Sequence, residues 1–103
     1  MNAPQKYDIV RSFDFAYDRT SYLEGVFLGD LPAGDAFEFQ HNGETLSAVF
    51  GDCARCIIRV TKQVVDGETF PKEHTPSFVF PPVNGTRKLF GGVCDGVETV
   101  EKA

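Results

Sequence analysis

The stretch from Cys56 to Val65, Cys-Ile-Ile-Arg-Val-Thr-Lys-Gln-Val-Val, is closed by Asp66-Gly67 and constrains this chain more than any other segment. It is rich in β-branched residues and holds neither Gly nor Pro, and it ends at a dipeptide suited to a tight turn, so it reads as a strand followed by a turn. Cys56, Ile58, Val60 and Val64 fall on one face of a period-two strand, and Arg55, Arg59, Thr61 and Gln63 on the other. One side can then pack a core while the other meets water or a partner.

Other segments repeat the pattern. From Tyr7 to Tyr17 the odd positions Tyr7, Ile9, Phe13, Phe15 and Tyr17 are apolar, with Val10 and Arg11 as exceptions, which predicts a first strand. Tyr22 to Leu28 predicts a second, with Tyr22, Val26 and Leu28 on one face and Leu23 and Phe27 on the other. Gly29 to Asp35 has the Gly, Pro and Asp content of a loop. Ala36 to His41 and Glu44 to Phe50 flank Asn42-Gly43, a two-residue type I′ turn that sets Phe39 opposite Leu46 and Phe37 opposite Ala48.

Pro71 to Pro76 is polar and punctuated by proline, and Ser77 to Phe80 is a short strand stopped by Pro81-Pro82. Pro81 to Gly85 should leave the sheet as an ordered surface loop, and Cys94-Asp95-Gly96-Val97 supplies a further turn. Residues 1–6 and 101–103 should fray. No stretch keeps an apolar 3.6-residue period over three turns, although Arg11 to Leu28 has room for a short helix. The expectation is a mainly β single domain over residues 1–103, a small barrel or sandwich of six or seven short antiparallel strands, with a partly open barrel of the SH3 or OB type first.

Ten Phe and three Tyr, with no Trp, point to a Phe-dominated core. Fifteen acidic against ten basic residues give a net charge of −5, which disfavours nonspecific binding to nucleic acid or to anionic membranes. The start, Met-Asn-Ala-Pro-Gln-Lys, lacks the apolar core of a signal peptide, and no apolar run reaches the roughly 18 residues of a spanning helix. Three cysteines cannot complete a disulfide framework within one chain. These features together predict a cytoplasmic protein with reduced thiols.

Cys53-Ala54-Arg55-Cys56, with Cys94, His41 and His74, holds enough ligand types for a tetrahedral zinc site. The set contains one Cys-x-x-Cys rather than two, and neither histidine has a ligand neighbour at short spacing, so structural cysteines are the simpler reading and no cofactor is expected. The same pair runs straight into a β-branched strand and lacks the helix N-terminus that would stabilise a redox thiolate. No nucleophile elbow is present, His41 and His74 read as solvated, and no Gly-rich segment has the strand-loop-helix setting of a phosphate loop. The residues thus predict no enzyme. Arg55, Arg59 and Lys62, with Tyr22, Arg87 and Lys88, are the candidate contacts for a partner or ligand.

Tyr22-Leu23-Glu24-Gly25-Val26, Cys56-Ile57-Ile58-Arg59-Val60 and Phe80-Pro81-Pro82-Val83-Asn84-Gly85-Thr86 together resemble small uncharacterised β-rich proteins encoded by bacteriophages and proteobacteria. The resemblance implies a phage accessory protein that binds a host protein or sequesters a nucleotide, and it brings no catalytic residue. The leading expectation is a non-catalytic binding module with a protein partner. The alternatives are an oligomeric nucleotide or small-ligand binder and a zinc-stabilised structural module.

Overall fold

The computed structural model describes residues 4–13, 19–83 and 96–103. Among these residues eight strands run in the order β1 Ile9–Ser12, β2 Tyr22–Leu31, β3 Ala36–His41, β4 Glu44–Val49, β5 Arg55–Val65, β6 Glu68–Thr69, β7 Phe78–Val79 and β8 Val97–Glu101. The fold is mainly β, as expected, and the described residues contain no α-helix, only a one-turn 3-10 helix at Lys72–His74. Six strands have four residues or more, and β6 and β7 have two each. All ladders among the described residues are antiparallel. The main sheet has the order β6-β5-β2-β1-β8, with β7 beside β5, and curls into a half barrel, while β3 and β4 form a separate hairpin sheet.

The β5 strand is the longest element and runs into the expected turn, where Asp66 and Gly67 both take positive φ, 51° and 82°. Its neighbour β2 is longer than the sequence reading allowed. Gly29, Asp30 and Leu31, read as loop, pair with Ile57, Cys56 and Arg55, and Leu31 is buried. Backbone pairing along the whole of β5 outweighs the local turn preference of Gly-Asp.

Three bulges bend the sheet. Thr61 is extra between Lys62 and Val60, which pair with Glu24 and Gly25; Leu28 is extra in β2, and Val100 in β8. A bulge shifts side-chain alternation by one residue. Val64, expected on the face of Cys56 and Ile58, is buried as that position implies, but it sits opposite Tyr22, two residues from the pair Glu24 and Lys62 and so in their alternation. Gln63, expected on the polar face, sits opposite Leu23, which in turn faces buried Ser12. The same shift puts Arg59 and Lys62 on one face, which strict period two would separate.

The core is formed by Val10, Phe27, Cys56 and Ile58, with Val79, Val83 and Val97 packed against it. Val10, an exception to the apolar odd positions of the first strand, is the β1 residue that enters this core, and Tyr7 lies before the strand and is exposed. The Pro81-Pro82 stop ends the regular strand, but the chain does not leave the sheet there. Pro81 is fully buried, its carbonyl accepts from Cys56 N at 2.7 Å, Pro82 bridges Arg55, and Val83 N donates to Ala54 O at 3.2 Å. Prolines lack donors but keep their carbonyls, so the edge of β5 remains paired. Asn84-Gly85 and positions 15 and 17 lie outside the described residues.

The hairpin matches its expected register, with Phe39 opposite Leu46, Phe37 opposite Ala48, and positive φ at Asn42 and Gly43. It docks through rings. Phe37 and Phe39, on one face of β3, each lie within 6.1 Å of both Phe78 and Phe80, and Phe50 lies 5.4 Å from Phe80. Such pairs contribute about 0.5–1.5 kcal/mol each beyond the area they bury.

The ends are held. The Asp8 carboxylate accepts from Gln5 N and from Ala103 N, both at 2.9 Å. These backbone donors, with Lys102 and Thr99 adding to them, outweigh partial desolvation and hold the Asp8 carboxyl below its ordinary value. A carboxyl depressed in the folded state stabilises fully above its unfolded pKa, and that contribution fades as pH falls through the folded value. Asp8→Asn should therefore flatten the stability loss of the wild type below about pH 4 in urea titrations run at several pH values.

Gly25 provides a sharper test. A Cβ at Gly25 would stand 2.2 Å from Arg59 O and 2.9 Å from Val60 Cα, so the β5 backbone itself would have to move. Gly25→Ala should lower stability by about 2–3 kcal/mol, read as a lower urea midpoint at unchanged slope.

Candidate functional site

The curled sheet sorts the candidate residues by row. Ile9, Val26, Arg59 and Phe78 are directly opposite one another across β1, β2, β5 and β7, as are Arg11, Glu24 and Lys62 across β1, β2 and β5. Lys62 thus sits across from a carboxylate already bonded to Arg11 at 2.8 Å. Arg59 sits between valine and phenylalanine and is exposed.

Arg55 does not join them at the surface. Its side chain is only 14% exposed, bonds Asp52 at 2.8 Å and Phe80 O at 3.3 Å, and covers the Phe50 ring at 4.6 Å. Partial desolvation raises the Asp52 carboxyl, but the backbone N–H of Asp52, the Arg55 charge and the Cys53 N–H together hold it below its ordinary value. Arg55 is a clamp on the phenylalanine cluster. Tyr22 is likewise engaged, half-buried between the Arg11 guanidinium at 4.3 Å and the Phe13 ring at 5.9 Å. Arg87 and Lys88 lie outside the described residues.

The described zinc candidates do not form a ligand group. Cys56 is buried in the core, Cys53 is half-buried in the preceding loop, His74 is exposed in the 3-10 helix, and Cys94 lies outside the described residues. Among the described residues no group of three or more His, Cys, Asp and Glu side chains is placed to hold a metal ion.

His41, read as solvated, is half-buried and ties the hairpin to the segment before β7. Its Nδ1 lies 3.1 Å from Ser77 Oγ and its Nε2 3.3 Å from Asn42 Nδ2. An amide nitrogen can only donate, so Nε2 is the acceptor and the neutral ring carries its proton on Nδ1. Nδ1 then donates to Ser77 Oγ, which leaves the serine hydroxyl proton available to another acceptor. The sequence holds no signal for this, because His41 and Ser77 are 36 positions apart.

Ser77 lines a cavity of about 230 Å³ between the middle of β5 and the segment from Lys72 to Phe78, with Arg59, Thr61, Lys72 and Thr75. Thr61 donates its hydroxyl to Glu24 O and Thr75 to Pro71 O, so neither proton is available to a ligand. Lys72 was absent from the sequence candidates because its relation to Arg59 arises only when the polar segment folds back along β5. A second cavity of about 100 Å³, lined by Ser12, Tyr22 and Gln63 among others, has the volume of only about three water molecules.

No protein-family model, no curated protein and no solved structure matches the chain. Among the described residues no helix is long and apolar enough to cross a membrane.

Nuclear magnetic resonance tests the histidine assignment directly. Long-range proton–nitrogen correlation spectra at neutral pH should show His41 as the Nδ1–H tautomer, and Asn42→Ala should shift it toward the Nε2–H form that dominates in free histidine.

Proposed function

We propose that the chain is a non-catalytic binding module that engages a protein partner through the β5 face around Arg59 and the adjoining segment from Lys72 to Phe78. One observation carries this reading. Of the four arginines among the described residues, Arg11, Arg19 and Arg55 are each paired with a carboxylate, on Glu24, Glu98 and Asp52, and Arg59 has no carboxylate of the described residues within ion-pair distance. An exposed cation left unpaired in an acidic chain is suited to an acidic patch on a partner, where it adds association rate and orientation. The resemblance noted in the sequence adds the setting: a phage accessory protein acting on a host protein in the cytoplasm.

A second reading, a binder of a nucleotide or another small anionic ligand, is favoured by the cavity that places Lys72 with Arg59. Its volume is below the roughly 300–1,000 Å³ of sites that enclose a drug-sized ligand, so a whole nucleotide would need a second subunit to cover it.

The test is capture from a bacterial lysate. Arg59→Glu should reduce retention of the partner about tenfold, equivalent to about 1.4 kcal/mol, while Asp35→Arg, exposed at the end of the hairpin away from His41, should not change it. Equal capture by wild type and Arg59→Glu, or turnover in a substrate screen, would sink the reading.

A further inference from the structure

We infer that the cavity between β5 and the 3-10 segment is an oxyanion subsite for the phosphoryl group of a phosphomonoester, held by Arg59, Lys72 and Ser77, an inference that rests on this face being the binding face. The charge distribution is the first ground. The chain has fifteen acidic and ten basic residues, yet the described lining of this cavity includes Arg59 and Lys72 and neither Asp nor Glu. Glu73, the sequence neighbour of Lys72, is in the same 3-10 helix but is not part of that lining. Across the sheet, Arg59 faces Val26 and Phe78, so neither of its cross-strand neighbours neutralises it. Two like charges bordering one cavity repel, and an anion between them relieves that repulsion.

The hydroxyl chemistry is the second ground. Of the three hydroxyl residues lining the cavity, Thr61 and Thr75 donate to backbone carbonyls. Ser77 receives a hydrogen bond from His41, whose tautomer Asn42 sets, and its own proton remains available. His41 is therefore a positioning residue, and Ser77 is the neutral donor between two cations.

Charge and size select the ligand class. A phosphomonoester carries about −1.5 to −2 at neutral pH, matching two cations, whereas a carboxylate carries one charge. A guanidinium fork binds two phosphate oxygens side by side, and an ammonium adds a point charge. A cavity of about 230 Å³ accepts the phosphoryl group and leaves the organic part outside. That part belongs either to a small molecule or to a phosphorylated side chain of the partner.

The experiment is a titration of the full chain with inorganic phosphate at constant ionic strength, followed by proton–nitrogen correlation spectra. Saturable shifts are expected at the amides of Arg59 to Thr61 and of Thr75 to Phe78, with a Kd on the order of 1 mM. Arg59→Ala and Lys72→Ala should each weaken binding about tenfold, and Ser77→Ala should weaken it less, with the remaining spectrum superimposable on the wild type as a check of folding. Adenosine monophosphate and a phosphoserine peptide serve as the two further arms. Tighter binding of the first than of inorganic phosphate assigns a small-molecule source, and of the second a protein source. Failure of both esters to match the inorganic ion, absence of saturable shifts, or shifts unchanged in Arg59→Ala would overturn the subsite. If phosphate does not bind while Arg59→Glu still reduces partner capture, the subsite fails and the binding face stands.

Discussion

The close approach of β2 and β5 at Gly25 supports everything else in the molecule. These two strands form the longest ladder, and at its middle the carbonyl of Arg59 occupies the space that a side chain at position 25 would need. The Thr61 bulge sits beside this contact. Together they bend the sheet and shift its alternation, so that Val10, Phe27 and Ile58 close a core on one side while Arg59 and Lys62 share the other. Without the glycine the ladder would have to open at the point where the sheet turns.

A second layer of organisation comes from side chains rather than backbone. The β3–β4 hairpin is a sheet of its own, held to the rest by phenylalanine rings and by the hydrogen bond from His41 to Ser77. Arg55 reinforces this joint by bonding Asp52 and the carbonyl of Phe80 while covering the Phe50 ring. Attachment by rings fixes position with little dependence on backbone register, whereas the histidine adds direction. The hairpin therefore does more than cover apolar surface: it orients a hydroxyl in the cavity beside β5.

The arginines differ in what stands opposite them. Arg11 and Arg55 are held by carboxylates and by aromatic rings, and exchanging those contacts for a partner would cost packing as well as charge. Arg59 has a valine and a phenylalanine as its cross-strand neighbours. Neither of those neighbours carries a charge, while Lys62, two rows away across the bulge, is opposite Glu24.

The strong periodic segments were legible in the residues themselves: the β5 strand and its Asp66-Gly67 turn, the hairpin about Asn42-Gly43 and its register, and the mainly β class. Each depends on neighbours within a few positions, where β-branching, alternation and tolerance of positive φ act directly. The bulges were not legible, because an extra residue is defined only against its partner strand, and so Val64 and Gln63 exchanged faces. Nor were the extension of β2 through Leu31 or the pairing that continues past Pro81, since both are imposed by β5 alongside. Of the candidate contacts, Arg59 and Lys62 were named from the sequence, but that Arg55 is a clamp and Lys72 a cavity residue depends on loops folding back over a curled sheet. Residue chemistry by itself determined which segments extend and where they turn; which charges are neutralised and which stay available was decided by tertiary packing, because opposite charges must first be brought within a few ångströms by strands and loops far apart in the chain.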